Sequence, residues 1–265
     1  MCIQRIDVVI PVKNEAFKLQ FCCKHIRKYL PVNNLIIVVS PSKDNTFQVA
    51  KDYGNIVIQD ENKGVGCARA IGLEKVKTKY FASIDADIIV QKTWYSTCKK
   101  IMENPLVAAC QGVDHPLGRN YAKWQDSLGK RHTSLGNTMF RTSIVKEVGM
   151  PTVPWTEDYI LRRRIESIGY KWITDLNLIV IHWVNDIDIL KHFTKFGRQQ
   201  RIEQKKLLKW ILFSFKDFID PNGSGYKIDG LNLSVYILLA RLARCYGALQ
   251  ALTRSDKIYH DLKLW

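Results

Sequence analysis

Tyr80-Phe-Ala-Ser-Ile-Asp-Ala-Asp-Ile-Ile-Val90 is the stretch that decides the fold. Five residues of buried type run straight into two carboxylates, and three aliphatic residues follow. A short apolar run of this kind reads as a strand buried on both faces. An acid pair at its end lies where ligands collect in parallel sheets, at the carboxyl ends of the strands. Two carboxylates two residues apart can grip a hard divalent cation through oxygen, and such a cation takes further oxygens from a diphosphate. A solvated turn is the plain reading of an isolated Asp-x-Asp. Here the acids interrupt an apolar stretch, where carboxylates need a counter-charge.

Upstream, the same alternation repeats three times. Ile6–Val12 is a β-branched run ending in a polar turn, and Phe17, Phe21 and Ile26 are spaced for a helix over 15–29. Residues 35–39 form a second strand pattern, followed by a helix over 45–53 capped by Asp44. Residues 56–58 are a third strand and 66–76 a third helix. Downstream, the pattern predicts a strand over 105–113, a helix or lid over 121–130 and a short strand at Asn137–Arg141. A helix over Glu157–Ser167 stops at Gly169, and a last strand covers 178–182. The expected class is α/β: a Rossmann-like, mainly parallel sheet covered by helices over residues 1–185, with a helical extension over 186–265. The residues to inspect are those just past the strands: Lys13, Asn14 and Glu15; Ser40 to Asp44; Glu61, Asn62 and Lys63; Asp85 and Asp87.

The 265 residues are 46% hydrophobic and 25% charged, globular values that exclude a disordered or collagen-like chain. Lys and Arg number 40 against 25 Asp and Glu, a net charge of +15. That excess favours polyanionic company: nucleotide phosphates, nucleic acid or an anionic membrane. The 7 cysteines are odd in number and contain no Cys-x-x-Cys pair, which reads as reduced, buried thiols of a cytoplasmic protein. No signal peptide opens the sequence, and no run of about 18 apolar residues predicts a membrane span.

Taken in order, the motifs resemble those of the family 2 glycosyltransferases, which have the GT-A fold. Val8-Val-Ile-Pro-Val-Lys-Asn-Glu15 is similar to the family's opening strand and P-x-x-N-E turn. Val38-Val-Ser-Pro-Ser-Lys-Asp-Asn-Thr46 resembles its D-x-S-x-D-x-T turn, with Val39 or Ser40 in place of the first acid. Asn62-Lys-Gly-Val-Gly-Cys-Ala-Arg-Ala-Ile-Gly72 resembles N-x-G-x-x-x-A-R-N-x-G, with Ala70 where Asn is usual. Asp85-Ala-Asp87 falls at the metal motif. Gly136-Asn-Thr-Met-Phe-Arg141 with Val148-Gly149 resembles the acceptor-side strand and helix. Trp155-Thr-Glu-Asp158 with Leu161 and Arg162 resembles E-D-x-x-L-x-x-R, and His182 sits where many members carry a late histidine. The resemblance covers about residues 5 to 185.

The resemblance implies transfer of a sugar, with inversion, from a nucleotide-diphosphate donor (UDP- or GDP-linked), with Mn2+ or Mg2+ as cofactor. It places Pro11, Asn14, Glu15 and Asp44 at the nucleotide, Lys63 and Arg69 at the phosphates, and Asp85 at the ribose or at the metal through water. Asp87 is the first metal ligand and His182 a further one; the plainer reading of His182 is a core-edge histidine beside Trp183. Asn14 and Glu15 also suit the cap of the helix that follows, and Lys63 also suits a solvated helix face. Asp158 is the candidate general base, since an acceptor hydroxyl must lose its proton. Trp155, Glu157 and Arg162 are the acceptor-side candidates. Glu157 either orients the acceptor or holds Arg162, and Trp155 and Trp124 are candidate stacking surfaces for rings. Acids at 157 and 158 equally suit a helix N-terminus.

From 191 to 209, Lys191, Lys195, Arg198, Lys205 and Lys209 share one helical face, and Phe193, Phe196, Leu207 and Ile211 the other. A second apolar stretch over 231–252 carries Arg241 and Arg244. This is the pattern of basic amphipathic helices on the cytosolic face of an anionic membrane, or of helices packed on the catalytic domain. The expected acceptor is a hydroxyl on a lipid-linked glycan, glycolipid or polysaccharide. Polyprenyl phosphate is the alternative on the same fold. A non-catalytic nucleic-acid-binding protein would explain the charge, but not the ordered acids. No helix-turn-helix, zinc module or aromatic RNA-binding signature is present, so no nucleic-acid partner is expected.

Overall fold

The computed structural model describes residues 3–117, 134–153 and 157–184, together with Leu239 and Leu242. The chain divides into two compact units, one of Met1–His115 and Arg131–Trp183, the other of Pro116–Lys130 and Val184–Trp265. In the second unit, Leu239 and Leu242 are helical and exposed. The helix or lid expected over 121–130, Trp124, Trp155 and the basic face from Lys191 to Lys209 lie outside the described residues. So does the second apolar stretch, apart from Leu239 and Leu242. Among the described residues, no helix is long and apolar enough to cross a membrane.

The first unit begins with the alternation expected from the sequence. It runs β1 (Ile6–Val12), α1 (Ala16–Tyr29), β2 (Val32–Val39), α2 (Thr46–Tyr53), β3 (Ile56–Gln59), α3 (Val65–Lys75) and β4 (Tyr80–Ile84). Then come β5 (Ile88–Ile89), α4 (Trp94–Ile101), β6 (Val107–Pro116), β7 (Asn137–Arg141), α5 (Thr142–Val148), α6 (Glu157–Ser167) and β8 (Lys171–His182). The strands form one sheet in the order β3-β2-β1-β4-β7-β6-β8-β5. The sheet is mixed. β3, β2, β1 and β4 are parallel, whereas β7 runs antiparallel to both β4 and β6, and β5 antiparallel to β8. The expected parallel sheet is therefore the first half of the fold.

β1 shows why both faces must be covered. All seven of its residues are buried. Ile6, Val8, Ile10 and Val12 enter one core with Leu19, Cys22, Cys23 and Ile26 of α1. Val9 enters the other, with Leu73 of α3, Ile144 of α5, Leu161 and Ile165 of α6 and the Phe81–Phe140 stack. Side chains that alternate between two apolar layers give a strand with no solvent face. The described cysteines are free thiols, with Cys22, Cys23, Cys98 and Cys110 buried. Ile26 is in the core as its spacing predicts, but Phe17 is 63% exposed and lies edge-on to Trp183.

Candidate functional site

Strand direction decides which residues meet. β6 is antiparallel to β7 and β7 to β4, so β6 runs with β4, and its C-terminal end reaches the same edge as the ends of β1 and β4. That edge gathers Glu15, Asp85, Asp87, Asp114 and the start of β7 at Gly136 and Asn137.

Asp87 and His182 meet through a short antiparallel pairing. Ile88 lies opposite His182, and the N–H of Trp183 donates to the carbonyl of Asp87 at 2.7 Å. This register sets His182 Nε2 3.3 Å from Asp87 Oδ2. Burial would lower an imidazole pKa. The hydrogen bond to Asp87 and the charges of Asp87, Asp114 and Asp85 overcome this and raise His182 to about 9. Burial would likewise raise Asp87, but His182 holds it below the usual carboxylate range.

Asp114, which the sequence reading missed, stands on the far side of the ring, with Oδ2 4.0 Å from His182 Nδ1. Its other oxygen accepts from Asn137 Nδ2 at 3.0 Å, and the Trp94 indole donates to Asn137 Oδ1 at 2.7 Å. An indole N–H can only donate, so it fixes the amide with its NH2 toward Asp114. Burial raises the pKa of Asp114. The signal for Asp114 was its place near the end of a strand, which the sequence pattern ended at 113, three residues before the end of β6 at Pro116.

Glu15 faces the same acids. Its carboxyl is raised to about 7, first by burial and then by the charge of Asp87, against Lys18 with Nζ 3.5 Å away. The side chain of Glu15 makes no cap bond to α1.

A divalent cation suits this donor set. Two ligands at right angles on an ion with bonds near 2.1 Å stand about 3 Å apart, and the 3.3 Å between His182 Nε2 and Asp87 Oδ2 is close to that. Carboxylate oxygen and imidazole nitrogen are both ligands for Mn2+-type ions. No group of three such side chains is placed to hold a metal among the described residues.

Arg69 ties this edge to α6. Its Nη2 donates to Asp85 Oδ1 at 2.6 Å and its Nη1 to Glu157 Oε1 at 2.5 Å. Only 4% of the side chain is exposed, which corrects its expected place at a phosphate: both ends of the fork are taken by carboxylates. Glu157 is thus held by Arg69, while Arg162 Nε donates to Glu166 one turn further along α6 at 2.8 Å. Asp158 is half-buried at the start of α6, and its Oδ1 accepts from the N–H of Tyr159 at 2.7 Å. Lys63 lies before α3, not on a helix face, and pairs with Glu61 at 2.5 Å with both side chains exposed.

The turns after β1 and β2 lock together. Asn14, at φ 52°, accepts from the N–H of Lys43 at 2.6 Å, and its own N–H donates to Ser42 Oγ at 3.0 Å. Asp44, expected to face the nucleotide, accepts from the N–H of Ala16 at 3.0 Å and of Thr46 at 3.1 Å, capping the starts of two helices at once. The slight burial of Asp44 would raise its pKa, but these bonds and the Thr46 hydroxyl outweigh it and lower it. Pro11 sits within β1, paired with Val38. At the end of β3, buried Asp60 accepts from Ser40 Oγ at 3.1 Å, a carboxylate beside the position where the motif's first acid is replaced.

Comparison with known proteins bears on this edge. The family described as "Glycosyl transferase family 2" matches residues 7–163, more than half of the chain. Glycosyltransferase AglE of Haloferax volcanii is 24% identical, over 95% of this chain and 97% of its own. Low-salt glycan biosynthesis hexosyltransferase Agl6 of the same organism is 32% identical over 85 residues, covering 31% of this chain and 21% of its own. Among solved structures, the mannosyltransferase PcManGT from Pyrobaculum calidifontis in complex with GDP-Man and Mn2+ aligns with a TM-score of 0.60 at 16% identity, over 96% of this chain and 75% of that one. Glucosyl-3-phosphoglycerate synthase from Mycobacterium tuberculosis, in complex with Mn2+, UDP and phosphoglyceric acid, aligns with a TM-score of 0.55 at 20% identity, over 71% of this chain and 73% of that one.

Proposed function

The chain belongs to glycosyl transferase family 2 and has the GT-A fold, and on that premise we propose an inverting, metal-dependent transfer of a hexose from a UDP- or GDP-linked donor to a hydroxyl acceptor. The observation that carries the reading is the Asp87–His182 pair, 3.3 Å apart, with Asp85 beside it at the end of β4. Asp87 and His182 would hold the cation, Asp85 would face the ribose or the cation's water, and Pro11 of β1 with the turns carrying Asn14, Glu15 and Asp44 would enclose the nucleotide. When bound, Mn2+ or Mg2+ neutralises the diphosphate that leaves. Asp158 takes the proton of the attacking hydroxyl, and that oxygen displaces the nucleoside diphosphate from the anomeric carbon on the opposite face.

The acceptor we propose is a hydroxyl of a lipid-linked glycan, glycolipid or polysaccharide. A relative named for glycan biosynthesis supports this. So does the acid at 158, because a bare polyprenyl phosphate is already ionised and needs no base. Attachment to an anionic membrane through the basic stretch from Lys191 to Lys209 accords with such an acceptor. The test is calorimetric titration of UDP and GDP with and without Mn2+, followed by nucleotide release from a panel of donor sugars with and without lipid extract. Mn2+-dependent binding and acceptor-stimulated release are expected. Failure of both nucleotides to bind in Mn2+ would overturn the reading.

A further inference from the structure

Arg69 lies between the two halves of the proposed site. On one side it holds Asp85, next to the cation pair; on the other it holds Glu157, the neighbour of Asp158. Each attachment is confined. A Cβ at Gly136 would stand 2.2 Å from Asp85 Oδ2, so that carboxylate is packed closely against the start of β7. The backbone at the two residues also pairs, with the N–H of Asp85 donating to the carbonyl of Gly136 at 2.9 Å.

Helix α3 grips the segment before α6 as well. A Cβ at Gly66 would stand 2.4 Å from the carbonyl oxygen of Val153 and 2.5 Å from that of Pro151, so α3 and this segment are in backbone contact. Cys67 Sγ donates to the carbonyl of Thr152 at 3.0 Å. The first turn of one helix therefore touches the acceptor-side segment at Gly66, Cys67 and Arg69, and of these three Arg69 reaches on to the donor side.

We infer that Arg69 is a positioning residue, whose guanidinium fork sets the start of α6, and with it Asp158, at a fixed distance from Asp85 and the cation pair. The inference rests on the roles proposed above for Asp158 and Asp87. Its chemistry is that of the fork. Two Nη groups aim in different directions from a rigid plane, so one side chain sets the separation of two carboxylates on different elements. A lysine keeps the charge but is a point donor and cannot fix both. Arg69 Nε is buried and has no partner among the described residues. Such an arrangement is worth its desolvation where geometry matters.

The experiment compares wild type with Arg69→Lys, Glu157→Ala and the double variant, with UDP-glucose and GDP-mannose as probes, Mn2+ present and water as acceptor. Whichever donor wild type hydrolyses is used. Arg69→Lys is expected to keep the donor KM and the Kd for UDP or GDP within about threefold while kcat falls about 10²-fold, the cost of misplacing a reacting group by about 1 Å. Glu157→Ala is expected to match it, and the double variant to be no worse than either, because both changes cut one link. Unchanged kcat in Arg69→Lys, or kcat and nucleotide binding falling together with the folded fraction, would overturn the inference. Hydrogen exchange provides an arm that needs no turnover. The first amides of α6 should exchange faster in Arg69→Lys while those of β1 and β4 keep their protection, and unchanged α6 protection also overturns it. If wild type neither binds nor hydrolyses either donor, the reading of the function fails, and the exchange arm still decides the link.

Discussion

His182 Nε2 stands 3.3 Å from Asp87 Oδ2 because Ile88 and His182 face each other across β5 and β8. A two-residue strand thereby brings the last residue of the sheet to the acid motif. The pair is an ion pair here, and a cation held by both side chains, as proposed, would have to displace the imidazole proton.

Asp87→Ala is expected to remove Mn2+-dependent binding of UDP or GDP, a loss beyond the about 10–100-fold that outer-shell changes cost. His182→Ala should weaken it by about that amount, leaving Asp87 as the remaining ligand. EDTA should abolish donor turnover, and added Mn2+ should restore it. Calorimetry decides; unchanged Mn2+ dependence in Asp87→Ala would remove Asp87 from the metal.

Asp158→Asn tests the base. The substitution keeps size and helix position but removes the proton acceptor. Donor binding should be nearly intact while transfer falls about 10²–10⁴-fold, the usual share of a general base. Equal losses in affinity and rate would make Asp158 structural. Retained transfer would point to an acceptor already ionised, such as a phosphate.

The parallel half of the sheet was legible because each of its strands contains a short apolar run, at 8–10, 35–39, 56–58 and 80–82, with polar residues after the strand. The antiparallel half was not. β8 begins at Lys171, before the expected 178, because its alternation is broken by exposed Leu176 and Ile179. Helix α4 went unread because Trp94 and Cys98 are its only buried residues, too few to mark a period. Asp114 was missed with the end of β6. Asp44 was legible as a cap of one helix but not of two, since the second belongs to a neighbouring turn. Arg69 and Glu157 are 88 residues apart, and no local pattern distinguishes a buried cation from one that faces a phosphate.

Gly136→Ala tests the confinement of Asp85. The new Cβ would stand 2.2 Å from Oδ2 and 2.5 Å from Cγ of Asp85, while Oδ1 is tied to Arg69 at 2.6 Å. Either the carboxylate leaves Arg69 or the start of β7 moves. Overpacking of this kind costs about 1–3 kcal/mol, to be read from urea unfolding. Wild-type stability would show that the neighbours yield without consequence.

Asp7 carries the last prediction, on acid stability rather than catalysis. It is wholly buried at the start of β1, yet its carboxylate is satisfied on both oxygens. Oδ1 accepts from Asn33 Nδ2 at 2.9 Å and from the N–H and Nδ2 of Asn34 at 3.0 Å each; Oδ2 accepts from the N–H groups of Lys77 at 2.7 Å and Thr78 at 3.1 Å. Burial would raise this carboxyl, but the donors outweigh it and hold it below 3.8. A group lowered in the folded state contributes stability that is present above its unfolded pKa and is lost as pH falls through the folded one. Asp7→Asn presents an NH2 to donors on one side and removes the charge. It should cost about 3 kcal/mol at pH 7, since hydrogen bonds to a charged group contribute about 1.5–3 kcal/mol each and unpaired buried donors add their own penalty. The gap between the two proteins, measured by urea unfolding, should hold from pH 8 down to about pH 4 and close below it. A gap that stayed constant down to pH 2.5 would mean that the Asp7 charge is not what ties β1 to the turns at Asn33 and Lys77.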